Sequence, residues 1–332
     1  MQLSHIINAQ YVLSLFSGYS LPSQSSLRGQ EPIIVGDNVN ENSAVSVPDQ
    51  ATLGYPRAVV LWHGLGDNYN SSGMNRVTEI FENLHPGIFV HSVRLDESPS
   101  ADQQKSLFGN ANNELDIACK QLQNITELQS GFDIIGFSQG GVFARALIER
   151  CSEVSVHNLI TFGSPHNGVS ELPMCEDPSD WFCKKKNEVL KRQVWYDSVQ
   201  KHVIPAQYFR DPVDYEGYLE HSNFLADINN ERAETNATYK ENFSKINKFV
   251  MILFDEDTTL VPKESAAFED YDPVTGLLVP FEQTRLYRED LIGLRQLHRA
   301  GKVDFFTLKG DHMTIPDSFL VEVGQKYIGS PY

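Results

Sequence analysis

The chain has 332 residues, of which 41% are hydrophobic and 21% charged. This suits one large domain carrying an insertion and excludes a chain disordered throughout. A formal net charge of −17 argues against nucleic acid as a partner, and against adhesion to anionic membranes through basic patches. No run of 18 apolar residues occurs, so no transmembrane segment is expected.

Residues 1–56 are rich in Ser, Asn, Gln, Pro and Val without sustained periodicity, and read as a processed or weakly ordered leader. A short apolar stretch within them, Tyr11-Val12-Leu13-Ser14-Leu15-Phe16, lacks the positive region of an ordinary signal peptide. The folded part, 57–332, opens on an apolar strand at 58–62. The loop His63-Gly64-Leu65-Gly66-Asp67 follows, then a second strand at 88–93. Leu115, Ala118, Cys119 and Leu122 fall at i, i+3, i+4 and i+7 and mark a helix. Phe132-Asp133-Ile134-Ile135 reads as a buried strand, and 141–148 as a helix with Phe143, Ala146 and Leu147 on one face. A further strand covers 159–162. This alternation predicts an α/β fold, a mainly parallel sheet with helices on both faces.

The rhythm breaks from about 168 to 248. That stretch holds no convincing strand but is dense in aromatics: Trp181, Phe182, Trp195, Tyr196, Tyr208, Phe209, Tyr215, Tyr218 and Phe224. A connection this long inside a domain reads as an inserted, mostly helical cap, with most of these rings forming its own small core. The sheet resumes with strands at 248–254 and 303–308, the latter leading into Gly310-Asp311-His312.

Between the strand at 132–135 and its helix stands Gly136-Phe137-Ser138-Gln139-Gly140, a G-x-S-x-G element in a strand–turn–helix setting. This is the nucleophile elbow of the α/β-hydrolase fold. A serine hydroxyl needs a base to take its proton, and the base needs a third group to orient it, in the chain order Ser, acid, His. His312 directly follows the last strand behind a glycine and reads as the base; His166 precedes the acid loop and reads as a supporting polar group. Asp255, Glu256 and Asp257 are all candidates for the acid, and spacing leans to Asp257. The oxyanion hole needs two backbone N–H donors, expected from Gln139 and from Leu65 in the glycine-flanked loop. His63 reads as structural, at the base of that loop.

The residues therefore predict a serine hydrolase of carbonyl compounds, and the aromatic insertion suggests an apolar acyl chain bound between cap and core. Neither a CxxC pair nor a His-rich cluster is present, so no metal or cofactor is expected. Four cysteines suggest the pairs Cys119–Cys151 and Cys175–Cys183, and acceptor sequons stand at Asn70, Asn124, Asn236 and Asn242. The competing readings are an esterase or lipase acting on oxygen esters, and a non-catalytic lipid carrier.

From about Val59 to Ile315 the chain resembles the lysosomal palmitoyl-protein thioesterases. The resemblance is carried by Val60-Leu61-Trp62-His63-Gly64-Leu65-Gly66-Asp67, by the elbow, by Gly310-Asp311-His312, and most specifically by His221-Ser222-Asn223-Phe224-Leu225-Ala226-Asp227-Ile228-Asn229-Asn230-Glu231-Arg232. It implies a triad of Ser138, Asp257 and His312, the same two disulfides, and glycosylation at Asn236. It also implies a lysosomal or vacuolar enzyme, reached through the secretory pathway, that removes fatty acyl groups from S-palmitoylated proteins or peptides. Asn68-Tyr69 depart from the adjacent cysteines of the animal members, which raises the question of what stiffens that loop. Gly163-Ser164-Pro165-His166-Asn167-Gly168 is more like general lipases.

Overall fold

The computed structural model describes residues 55–171, 191 and 193–329. In chain order it runs β1 (Ala58–Trp62), α1 (Ser72–Leu84), β2 (Val90–Ser92), α2 (Pro99–Leu107), α3 (Ala111–Gln123), β3 (Phe132–Phe137), α4 (Gln139–Arg150) and β4 (Val156–Phe162). The short helices α5 (Asp197–His202), α6 (Ile204–Gln207), α7 (Tyr215–His221), α8 (Leu225–Ile228) and α9 (Ala237–Phe243) follow. Then come β5 (Lys248–Phe254), the small antiparallel pair β6 (Asp270–Tyr271) and β7 (Leu278–Val279), α10 (Arg285–Glu289), α11 (Leu294–Arg299), β8 (Val303–Leu308) and α12 (Asp317–Tyr327).

Six strands form one sheet in the order β2-β1-β3-β4-β5-β8, and every neighbouring pair is parallel. Successive side chains along a strand point to opposite faces. In β1, Ala58, Val60 and Trp62 join the core that holds Leu115 and Ala118 of α3 and Phe143 and Leu147 of α4. Val59 and Leu61 join the opposite core, with Met74, Val77 and Phe81 of α1 and Leu320 and Val323 of α12. Both faces of the sheet are thus covered, the condition under which strands read as continuous apolar runs. The arrangement is the α/β architecture that the alternation of strands and helices predicts.

The helix α1 escaped the sequence reading although its signals are local: Ser71 caps it by accepting the Met74 N–H, and Met74, Val77 and Phe81 bury one stripe. The hairpin β6–β7 was also unforeseen. Strand β2 spans three residues rather than the six expected at 88–93. Among the described residues of 168–247 no sheet strand occurs; the extended contact there is an isolated bridge between Val169 and Phe209. The aromatics divide in a way that corrects the expectation of one separate cap core. Tyr208, Tyr218 and Phe224 belong to the main core over α4, whereas Phe209 packs with Val194 and Ala206 in a small cluster of its own, against Trp195. Trp181 and Phe182 lie outside the described residues, as do Cys175, Cys183 and residues 1–54.

Candidate active site

The order of strands places β1 between β2 and β3, so the chain reverses its direction of travel across the sheet at β1. In open parallel sheets the crevice at such a reversal, past the carboxyl ends of the strands, is where ligands bind. Ser138 stands there, at the end of β3. Its backbone has φ 51° and ψ −122°, a conformation that L-residues rarely adopt, and its N–H donates to the Phe162 carbonyl at 2.7 Å. The flanking glycines are sterically required. A Cβ on Gly136 would lie 2.2 Å from the Gly141 Cα, and one on Gly140 2.3 Å from the Trp62 carbonyl oxygen. The turn is closed so tightly against β1 and the first turn of α4 that no side chain fits on either side of the hydroxyl.

His312 arrives from the loop after β8. Its Nε2 is 2.9 Å from the Ser138 Oγ, and its Nδ1 is 2.6 Å from Oδ2 of Asp257, which follows β5. The other carboxylate oxygen of Asp257 accepts the backbone N–H groups of Thr259 (2.9 Å) and Leu260 (2.8 Å). That fixes the carboxylate plane from the side opposite the imidazole. The three groups therefore form a continuous relay in which Ser138 faces the one ring nitrogen that Asp257 does not occupy.

The other two acids of the loop have different positions. Asp255 accepts the Gly310 N–H at 2.8 Å, and the Glu256 N–H donates to the Gly310 carbonyl at 3.1 Å. Asp311 accepts from the backbone N–H of His312 at 2.7 Å and from Thr258 at 3.2 Å; the His312 N–H is the chief reason its carboxyl lies below the usual carboxylate range. The acid loop and the histidine turn are thus laced together, so their mutual register does not depend on the Asp257–His312 contact alone.

On the other flank, a Cβ on Gly64 would stand 3.2 Å from the Ser138 Cβ, so the loop after β1 runs directly beside Ser138. The Gly66 N–H is committed to the Ser106 Oγ at 2.8 Å, and the Gln103 amide donates to the Gly66 carbonyl at 2.6 Å. Among the described residues no acceptor is paired with the Leu65 or Gln139 backbone N–H. The Gln139 side chain is itself held, donating to the Ser106 carbonyl at 3.0 Å and accepting from the Tyr208 hydroxyl at 3.1 Å.

Several supporting residues went unread in the sequence. Asp102 of α2 is fully buried, lies 3.0 Å from the His63 Nε2, and accepts the backbone N–H groups of Leu95 (2.6 Å) and Tyr69 (2.9 Å). Burial opposes its charge, yet His63 and these two donors bring its pKa below the ordinary value. Tyr69 also donates its hydroxyl to the Glu97 carbonyl at 2.8 Å. These bonds stiffen the loop where the animal relatives were expected to carry adjacent cysteines. Arg145, buried in α4, donates to Glu149 (2.8 Å), to Asn229 (2.7 Å) and to the carbonyls of Ile228 and His166. It thereby ties the elbow helix to the 221–232 segment. Burial raises the Glu149 carboxyl to about 7 against the opposing charge of Arg145. His166 is buried, stacks on Phe268 with centroids 4.9 Å apart, and bonds to Thr161 at 2.9 Å. Burial and the nearby Arg145 hold its pKa well below the free value, so it is a neutral ring away from the serine. The available signal for Arg145 was a charge interrupting an apolar run.

Cys119 and Cys151 are joined by a disulfide between α3 and the end of α4. With Glu153 these two sulfurs make the one grouping among the described residues whose ligand atoms lie close enough for a metal, and both are bonded to each other. Asn70, Asn124 and Asn236 are exposed. Asn242 is corrected as a glycosylation candidate: it is buried, and its amide nitrogen donates to the Glu149 carbonyl and the Ser152 hydroxyl, both at 3.1 Å. An acceptor nitrogen needs access to solvent, and this one is used in holding α9 to α4.

The model of the family described as palmitoyl protein thioesterase matches residues 58–312. Palmitoyl-protein thioesterase 1 of Caenorhabditis elegans is 39% identical over 272 residues, covering 81% of this chain and 91% of that protein. Palmitoyl-protein thioesterase 3 of Dictyostelium discoideum is 34% identical over 267 residues, covering 80% and 88%. Lysosomal thioesterase PPT2 of Homo sapiens is 26% identical over 269 residues, covering 78% and 82%. The matched span runs from β1 through the histidine turn and includes all three residues of the hydrogen-bonded relay; this chain belongs to the palmitoyl protein thioesterase family.

Proposed function

We propose that this thioesterase removes long-chain fatty acyl groups, palmitoyl foremost, from S-acylated cysteines through an acyl-enzyme formed on Ser138. The observation that carries the reading is the relay itself, 2.9 Å from serine to imidazole and 2.6 Å from imidazole to carboxylate. Both distances are hydrogen-bonding distances, the condition for general-base activation of a hydroxyl. His312 takes the Ser138 proton as Oγ attacks the thioester carbonyl. The oxyanion that forms is met by the N–H groups of Gln139 and Leu65. Asp257 stabilises the imidazolium and holds its orientation. As the C–S bond breaks, His312 returns the proton to the departing sulfur. A thiol of pKa about 8.5 leaves far more readily than an alkoxide, so this proton transfer is less demanding than in ester cleavage. Water then attacks the acyl-serine with His312 again as base, releasing fatty acid.

A lysosomal or vacuolar site, reached by the secretory route, is supported by the names of several relatives, the Cys119–Cys151 bond and the exposed sequons at Asn70, Asn124 and Asn236. Among the described residues no helix is long and apolar enough to cross a membrane. The test pairs a palmitoyl thioester with its oxygen-ester analogue, on wild type and Ser138→Ala. The thioester should turn over faster on wild type, and Ser138→Ala should lose about 10⁴-fold or more of kcat while keeping its fold. Faster cleavage of the oxygen ester would replace the substrate class, and a variant with most of its activity would remove Ser138 from the chemistry.

A further inference from the structure

Beside the relay lies a second feature that the acyl-transfer steps do not use. A cavity of about 570 Å³ has Asp257 in its wall, together with Glu264 and Asp270 from the following turns, Asn167 beside the buried His166, and Glu171 and Arg210 of the insertion. This wall is polar. An acyl chain gains nothing by displacing water from carboxylates and guanidinium, because burying such groups without replacement partners costs more than methylene burial returns. The occupant suited to it carries a charge on a partly apolar stem.

Its position narrows the choice. The cavity shares Asp257 with the relay, so it is one side chain away from His312, the group that delivers a proton to the departing sulfur. That sulfur belongs to a cysteine in a polypeptide. An extended chain advances about 3.3–3.6 Å per residue, so residues two or three positions from the cysteine reach the far side of the imidazole. Two buried groups of the wall also remain incompletely paired among the described residues. Asn167 (4% exposed) lacks a partner for Oδ1, and Arg210 (7% exposed) lacks one for Nε.

The charge of the wall selects further. Four carboxylates, on Glu171, Asp257, Glu264 and Asp270, stand against two cations, Arg210 and Lys263. Arg210 is matched to Asp270 at 2.6 Å and to Glu231 at 3.2 Å. Lys263 donates to the Asp255 carbonyl at 2.5 Å. Among the described residues Glu171 and Glu264 have no ion-pair partner. The surrounding groups register the excess: burial first, and then the Glu264 charge, raises the pKa of Tyr271, and burial and Glu264 likewise raise that of Glu269.

We propose that this cavity is a subsite for the polypeptide carrying the acylated cysteine, and that it takes a lysine or arginine side chain two or three residues from that cysteine. The proposal rests on the thioesterase reading of the Ser138 site, and the experiment separates the two. S-palmitoyl heptapeptides with Lys or with Glu at those positions, and palmitoyl-N-acetylcysteamine as a thioester without a peptide, are compared on the full chain and on a Glu171→Gln/Glu264→Gln double variant. On wild type the Lys peptides should exceed the Glu peptides in kcat/KM by about fivefold, mostly through KM, the size of one partly exposed ion pair. The double variant should lose that preference and hydrolyse the N-acetylcysteamine thioester at the wild-type rate. Equal turnover of Lys and Glu peptides by wild type, or an undiminished preference in the variant, would overturn the subsite while leaving the thioesterase reading intact. Absence of thioester hydrolysis by wild type would overturn both.

Discussion

Two histidine–aspartate pairs stand on either side of Ser138, built from the same residue types. His312 meets Asp257 at 2.6 Å, and His63 meets Asp102 at 3.0 Å. The difference lies in the far nitrogen of each ring. In His312 it faces the Ser138 hydroxyl at 2.9 Å; in His63 it faces the carbonyl of the next residue, Gly64, at 3.0 Å. The carboxylates differ as well. Asp257 spends its spare oxygen on two N–H groups of its own loop, whereas Asp102 gathers N–H groups from Tyr69 and Leu95 on two separate segments. One pair has a nitrogen left for chemistry. The other uses its capacity to hold the loop after β1 against α2. The residue types alone do not separate the two; the partner of the remaining nitrogen does.

The sharpest way to break this comparison is to neutralise each acid in turn. Asp257→Asn should lower kcat by about 10⁴-fold with little change in melting temperature, because the imidazole loses its orienting acceptor and the stabiliser of its charge. Asp102→Asn should act chiefly on the fold, costing about 3–5 kcal/mol, as removal of one buried charge partner does, with kcat of the folded fraction held within about tenfold. Thermal melts and kcat on the same preparations decide. A large kcat loss with an unchanged melting temperature in Asp102→Asn would erase the distinction.

A second, smaller effect sharpens the structural side. Glu114, in the first turn of α3, is buried with neither carboxylate oxygen paired among the described residues. Burial above all, with a contribution from Asp102, raises its pKa from 4.5 to about 9, against the opposing pull of Lys105. The folded chain therefore keeps a proton that the unfolded chain releases once pH passes 4.5. The resulting stability is whole below that value and declines as pH rises toward about 9, by up to about 1.4 kcal/mol per unit. Glu114→Gln should match wild type in urea titrations near pH 4.5 and exceed it increasingly toward pH 8. A difference independent of pH would mean that the carboxyl is not titrating in this range.

The smallest expected change concerns the link between Tyr208 and Gln139. Tyr208→Phe removes the bond to the Gln139 side chain at 3.1 Å, worth about 1 kcal/mol. Because the Ser106 carbonyl still holds Gln139, kcat should fall only a few-fold with KM unchanged. A rise in KM alone would place Tyr208 with substrate binding instead.

Much of the framework could be read along the chain because its signals are local. The runs at 58–62, 248–254 and 303–308 coincide with β1, β5 and β8. The elbow was visible because a turn that tight admits only glycine around its serine. The amphipathic helix α1 was also local, with Ser71 as cap and a buried stripe, and was simply not drawn out. What stayed hidden is different in kind. Asp102 and His63 are 39 positions apart by number, and Arg145 finds its partners in Asn229 and His166 only because α4 packs under the 221–232 segment.

The amino-acid order by itself determined the strand-and-helix alternation, the glycine turn that presents Ser138, and the succession of serine, acid and histidine, since these depend on side-chain period and backbone freedom over a few residues. Only the tertiary structure decided which of two His–Asp pairs points at the serine, which aromatic rings join the main core, and that the Asn242 amide is buried. Each of these turns on what packs opposite a group in space, and burial and hydrogen-bond partners are properties of neighbours that the chain brings from far away.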